Sequence, residues 1–168
     1  MIVHAGAIAR FDRGGWRAVL VFGESGSGKS DLALRALQAG WRLVSDDYSE
    51  VWSSGGALWA RAPETIAGRI EARGLGIEGE PALGLARVCL AVICRTDEVE
   101  RLPEPETVRV AEVATPCVRL NALHASALAK LDRALSTRGL VVPLADESLG
   151  TGEAWDYKAR SSGAARPR

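Results

Sequence analysis

Gly23-Glu24-Ser25-Gly26-Ser27-Gly28-Lys29-Ser30 is the stretch whose reading decides the fold. It fits G-x-x-x-x-G-K-[ST] without deviation, a pattern that recurs by chance in roughly one chain in two hundred of this size. The glycines let the backbone wrap so that successive N–H groups point inward at phosphate oxygens. A helix opening near Lys29 adds the positive end of its dipole. The lysine would reach the β- and γ-phosphates, and the Ser30 hydroxyl would take a place on Mg²⁺. The expected nucleotide set is therefore Gly23, Glu24, Ser25, Gly26, Ser27, Gly28, Lys29, Ser30 and, next along, Asp31.

The flanks support this reading. Trp16–Phe22 (WRAVLVF) is almost continuously apolar and suits a strand buried on both faces. KSDLALRALQAG places Leu32, Ala33, Ala36 and Leu37 on one helical face, with Gly40 where a helix ends. Trp41–Ser45 then reads as a second strand. The helix carries the chain away from the loop by roughly 15 Å at 1.5 Å per residue. The strand returns it by roughly 16 Å at 3.3 Å per residue. A right-handed crossover would set this strand beside the first, with Asp46 and Asp47 at the level of the phosphates. One carboxylate could hold the metal and the other take the proton of an attacking hydroxyl. Spacing does not decide which, because alternate strand residues face opposite ways.

Other segments read more simply. Residues 2–9 form a short strand and RFDRGG a turn. Tyr48–Trp52 and Ala57–Ala60 flank SSGG as a hairpin, with Trp52 and Trp59 expected to cover the core. Residues 63–73 include a short helix, and GLGIEGEPALG is a glycine-rich connection. Arg87–Cys94 is a strong strand, TDEVERLPEPE a loop, 108–113 and 115–120 edge strands, and 123–136 a helix. Glu71 and Arg73, two apart, would share a face if extended. Pattern alone places neither Arg101 nor Arg119.

Composition narrows the function class. The 168 residues make one domain, read as 1–145 with a tail over 146–168. Twenty-one basic residues balance 21 acidic ones, so no whole-molecule field draws the chain to nucleic acid or to an anionic membrane. No apolar run approaches the roughly 18–20 residues that span a bilayer, and no signal peptide is seen. The three cysteines and two histidines lack metal-like spacing. The chain reads as cytoplasmic.

The loop GESGSGKSDLAL, the strand end LVSDD and the segment IEARGLGI, with His4 in VHAGAIA and the ERL at 100–102, resemble the catalytic domain of HPr kinase/phosphorylase in its short proteobacterial form. The resemblance implies an α/β fold with a P-loop kinase core like that of phosphoenolpyruvate carboxykinase: a mixed sheet with flanking helices. It implies ATP- and Mg²⁺-dependent phosphorylation of a serine on the phosphocarrier HPr, reversed in many members by phosphorolysis. It also implies a homo-oligomer, hexameric in the family. By the same resemblance Asp46 is the base toward serine, assisted by His4. Asp47 and Glu71 lie near the metal with Ser30, and Arg101 near the transferred phosphate. Two other readings fit the loop: a small-molecule P-loop kinase, or a nucleotide-binding regulatory module without catalysis.

Overall fold

The computed structural model describes residues 1–12, 14–139 and, as backbone, the strand Trp155–Asp156. The chain folds as a mixed α/β protein whose strongly curled sheet carries its helices on one face. In order come β1 (Ile2–Val3), β2 (Gly6–Asp12), β3 (Gly15–Gly23), α1 (Lys29–Gln38), β4 (Arg42–Ser45), β5 (Ser49–Ser54) and β6 (Ala57–Arg61). There follow a 3₁₀ turn (Glu64–Ile66), β7 (Arg69–Ala72), β8 (Gly76–Gly79), β9 (Ala86–Cys94), β10 (Glu106–Val110), β11 (Val113–Leu120), α2 (Ala127–Thr137) and β12 (Trp155–Asp156).

Strands β3 and β9 form the spine, paired in parallel. On one side β3 pairs antiparallel with β2, which pairs antiparallel with β4. The sequence expectation had β4 directly beside β3; instead β2 intervenes. Two antiparallel steps leave β3 and β4 pointing the same way, so both still end at the same edge. On the other side β9 pairs in parallel with β11 and antiparallel with β6.

The sheet has two buried faces because alternate side chains are apolar both ways. Ile8, Val19, Val21, Leu90 and Val92 meet Leu32 and Ala36 of α1, Leu131 and Leu135 of α2, and Ile70 of β7. Ala7, Ala9, Ala18, Leu20 and Phe22 instead meet Val51, Leu58, Ala60 and Val108. Among the described residues no helix covers this second face; the sheet curls over it. Small alanines on β2 and β3, all fully buried, leave room for the curl. A register shift opposite Ala18 and Val19 leaves Cys89 extra on β9, and the bulge bends that strand.

Polar ties hold α2 in place. Arg17, 9% exposed, bonds Asp12 at 2.8 Å and the carbonyls of Leu135 and Gly139, while Arg10 pairs with Asp132 and bonds Ser136. Burial pushes the thiols of Cys94 and Cys117 up to about 12, so both behave as apolar core groups.

Further expectations change. The turn at 10–15 shrinks to two residues, because β2 runs on to Asp12 and β3 begins at Gly15. The glycine-rich connection contains β8, which with β7 makes a separate hairpin. Trp52 and Trp59 are cross-strand partners, but Val51, Leu58 and Ala60 take the core side. The two rings therefore lie on the outer face, with the Arg61 guanidinium 5.9 Å over Trp52. The last helix begins at Ala127, since Asn121–Ser126 forms turns. The tail read over 146–168 lies outside the described residues, except that Trp155–Asp156 pairs in parallel with β10.

Candidate active site

The phosphate loop leaves the C-terminal end of β3 and enters α1 through Gly28, which stands at φ 90° and offers no side-chain cap. The first-turn N–H groups of α1 are thereby left for a ligand. Beneath the loop, the Ser27 hydroxyl is buried with no hydrogen-bond partner, an expensive state for a polar atom. A Cβ on Gly23 would stand 2.4 Å from that hydroxyl and 2.9 Å from the Cys94 carbonyl, so only glycine fits. Lys29 Nζ donates to the carbonyls of Gly23 at 3.0 Å and Glu24 at 3.2 Å, folded over its own loop. Neither of two surface cavities, about 460 and 520 Å³, takes a residue from the loop.

The carboxylates arrive from the β4 side. Asp47 Oδ1 lies 3.9 Å from Lys29 Nζ and 3.3 Å from His4 Nε2. The peptide turns sharply here. Tyr48 N–H donates to the Asp46 carbonyl at 2.6 Å around Asp47, whose φ is 61°. A left-handed aspartate costs of order 1–3 kcal/mol and persists where surrounding contacts over-determine it. The Ser45 hydroxyl donates to the Tyr48 carbonyl and supplies one such contact. Ser49 supplies another by donating to the Ala5 carbonyl at 2.8 Å, which holds the break between β1 and β2 where His4 sits.

Asp46 is half-buried, and its Oδ2 accepts the backbone N–H of Glu71 at 2.9 Å. Burial raises its pKa, and the negative charges of Asp47 and Glu71 push the same way. The Glu71 N–H and the Lys29 charge oppose but do not cancel them. A carboxylate that holds its proton more tightly than usual is a stronger base when ionised.

Most of the expected residues converge, with differences of detail. His4 reaches Asp47, the neighbour of the carboxylate it was expected to assist, because the turn presents Asp47 to the β1–β2 break. Glu71 meets the site through its backbone N–H, and its exposed side chain adds charge rather than a contact. Asp31 is occupied by Arg35, with contacts of 3.0 and 2.7 Å. Arg101 is exposed in the 95–105 connection, with no hydrogen bond or ion pair to Lys29, Asp46 or Asp47. Sequence reasoning missed three neighbours. Tyr48 stacks on His4 with centroids 5.0 Å apart. Ala122 and Leu123 press on Gly28, where an added Cβ would meet Leu123 Cδ2 at 2.9 Å. Asn121 two residues before Leu123 was a legible turn signal; the packing was not.

A family model described as HPr Serine kinase C-terminal domain matches residues 3–88, just over half of the chain, and spans every one of these residues but Arg101 and the 121–124 segment. This chain belongs to that family. It is 46% identical over 59 residues to the HPr kinase/phosphorylase of Clostridium beijerinckii, covering 35% of this chain and 20% of that protein. It is 44% identical over 71 residues to that of Clostridium tetani, covering 42% and 23%. The alignments thus span about a fifth of the length of these curated relatives. In fold the chain is similar to the solved Hpr(Ser) kinase/phosphatase from Coxiella burnetii. The TM-score is 0.66 at 21% identity, over 81% of this chain and 92% of that one. Among the described residues no helix is long and apolar enough to cross a membrane.

Proposed function

We propose that this domain is an ATP- and Mg²⁺-dependent protein-serine kinase acting on an HPr-type phosphocarrier in the cytoplasm, able to run in reverse by phosphorolysis. The observation that carries the proposal is Asp46: a half-buried carboxylate with raised proton affinity, fixed by Glu71 N–H, beside the Lys29–Asp47 pair.

The loop fits a triphosphate. It offers uncapped helix N–H groups, a lysine that donates to its own loop carbonyls beside Asp47, and glycines where a Cβ would clash. The donors also fit magnesium, which usually takes one or two carboxylates together with phosphate oxygens. No group of three or more His, Cys, Asp or Glu side chains suited to a metal occurs among the described residues, consistent with such a sparse site. Ser30 and Asp47 would hold the ion, with Glu71 adding charge nearby. When bound, the ion neutralises charge on the transferring phosphoryl group.

The chain's own residues do the rest. Lys29 exchanges the Gly23 and Glu24 carbonyls for phosphate oxygens and offsets the spreading negative charge. Asp46 accepts the proton of the seryl hydroxyl as its oxygen attacks, and returns it in the reverse direction. His4 and Lys29 hold Asp47 in its strained turn. Assembly into a homo-oligomer, a hexamer by resemblance, belongs to the same proposal.

Incubation with labelled ATP and either purified HPr or a panel of metabolites tests this reading. Phosphoserine on HPr is the expected product. Label in a metabolite alone would make the domain a small-molecule kinase; ATP binding without label transfer would make it a regulatory module.

A further inference from the structure

The phosphate loop has two flanks, and the strand order fixes what stands on each. Asp46 and Asp47 follow β4, on the β2 side of β3. Cys94 pairs with Gly23, and Leu120 pairs with Cys94, so the residues after β9 and β11 rise on the opposite side of the loop. The reacting end of a triphosphate belongs with the carboxylates and Lys29. An extended nucleotide lying across the loop must then lead its other end toward 95–97 and 121–124.

That flank is built with care for a stretch outside regular structure. Arg95 N–H donates to the Leu120 carbonyl at 2.9 Å, and Asn121 Nδ2 to the Thr96 carbonyl at 3.3 Å, tying the two connections together. Asn121 Oδ1 accepts the Leu123 N–H at 3.1 Å. Arg35, itself braced by Asp31, donates to the carbonyls of Ala122 and His124. All these bonds hold Leu123 against Gly28, yet the leucine remains 58% exposed. A rigidly mounted apolar side chain left facing water at the rim of a phosphate cradle suits a flat, weakly polar ring. The side-chain amide of Asn121 is spent on the backbone, so the platform offers a face rather than a hydrogen-bond code.

We infer that Leu123 is the platform on which the nucleobase of the bound nucleoside triphosphate rests, mounted there by Asn121 and Arg35. The inference rests on the nucleotide-binding part of the proposed function and not on phosphotransfer. Arg95 flanks the same side, near enough for Glu24 to act on its charge, but it is bonded to Asp97 at 2.7 and 2.5 Å and plays no part in the claim.

Calorimetric titration of the full chain with Mg²⁺-ATP and with Mg²⁺-tripolyphosphate, which has no base, separates this role from a merely structural one. Leu123→Ala is expected to weaken ATP about tenfold, the worth of roughly half a leucine's burial. Tripolyphosphate affinity should stay within about twofold, and Leu123→Met should restore ATP binding because it keeps the apolar surface. Unchanged ATP affinity in Leu123→Ala, or equal losses for both ligands, would overturn the inference. Wild-type protein that binds neither ligand would overturn the phosphate-loop reading together with it. ATP binding without transfer to HPr would overturn the kinase proposal alone.

Discussion

The two flanks of the phosphate loop are made by opposite means. On the β4 side, charge is crowded: Asp46, Asp47 and Glu71 gather round Lys29, one aspartate is left-handed, and another has its proton affinity raised by burial. On the β11 side Asn121, Arg35 and Arg95 are each paired, and an apolar side chain, Leu123, is left facing water. The first flank holds unfavourable energy at the place of the proposed transfer; the second is tied down by backbone hydrogen bonds, as the proposed mounting requires. The difference teaches that reacting and holding can be assigned to separate sides of one glycine-rich turn.

The strongest way to break the comparison is to remove the cation at the centre of the charged flank. Lys29→Met should lower single-turnover phosphotransfer about a thousandfold, the scale of losing a preorganised donor to transition-state charge. Retained transfer would mean that the charge crowding serves something other than phosphate.

Gly28→Ala probes the joint between the flanks. Alanine there must adopt φ 90° and meet Leu123 Cδ2 near 2.9 Å. A loss of about 1–3 kcal/mol is expected in denaturant unfolding. The double variant with Leu123→Ala should recover the crowding part and leave the backbone strain. If Gly28→Ala alone costs nothing, the loop is not as tightly backed as its geometry indicates.

A subtler test uses pH. The folded pKa of Asp46 lies above its unfolded value, so its ionisation penalises the fold. The penalty is absent below the unfolded pKa, near 3.9 for a free aspartate, grows through the interval and is complete above the folded pKa. Asp46→Asn should therefore raise the thermal midpoint at neutral pH, with the gain fading as pH falls through that interval. A gain independent of pH would remove the charge explanation. Smallest of all, Tyr48→Ala should lower transfer by only about two- to threefold, the worth of a partly exposed ring contact on His4.

Much of the reacting flank was legible because it follows from chain arithmetic. A helix and a strand of matched rise return Asp46–Asp47 to the level of Lys29 whether β4 or β2 lies next to β3. What could not be read is what depends on packing. Nothing in IEARGLGIEGE says that its glycines close a hairpin whose Glu71 N–H meets Asp46. The hairpin reading brought Trp52 and Trp59 together without saying which face was inner, and ring size suggested the core that Val51, Leu58 and Ala60 in fact fill. The approach of Asp47 to His4 was not legible either, because a left-handed Asp47 is a local compromise that no periodicity reports. The holding flank was invisible for a similar reason: Leu123 looked like the start of a helix that in fact begins at Ala127.

The central claim is that Asp46 takes the seryl proton while the glycine-rich loop binds the nucleotide independently of it. Asp46→Asn, which still offers an oxygen to Glu71 N–H, tests it most directly when ATP affinity and single-turnover phosphorylation of HPr are measured side by side. The account predicts ATP affinity within a few-fold of wild type and transfer reduced by at least about a hundredfold. Transfer at the wild-type rate with unchanged affinity would contradict it.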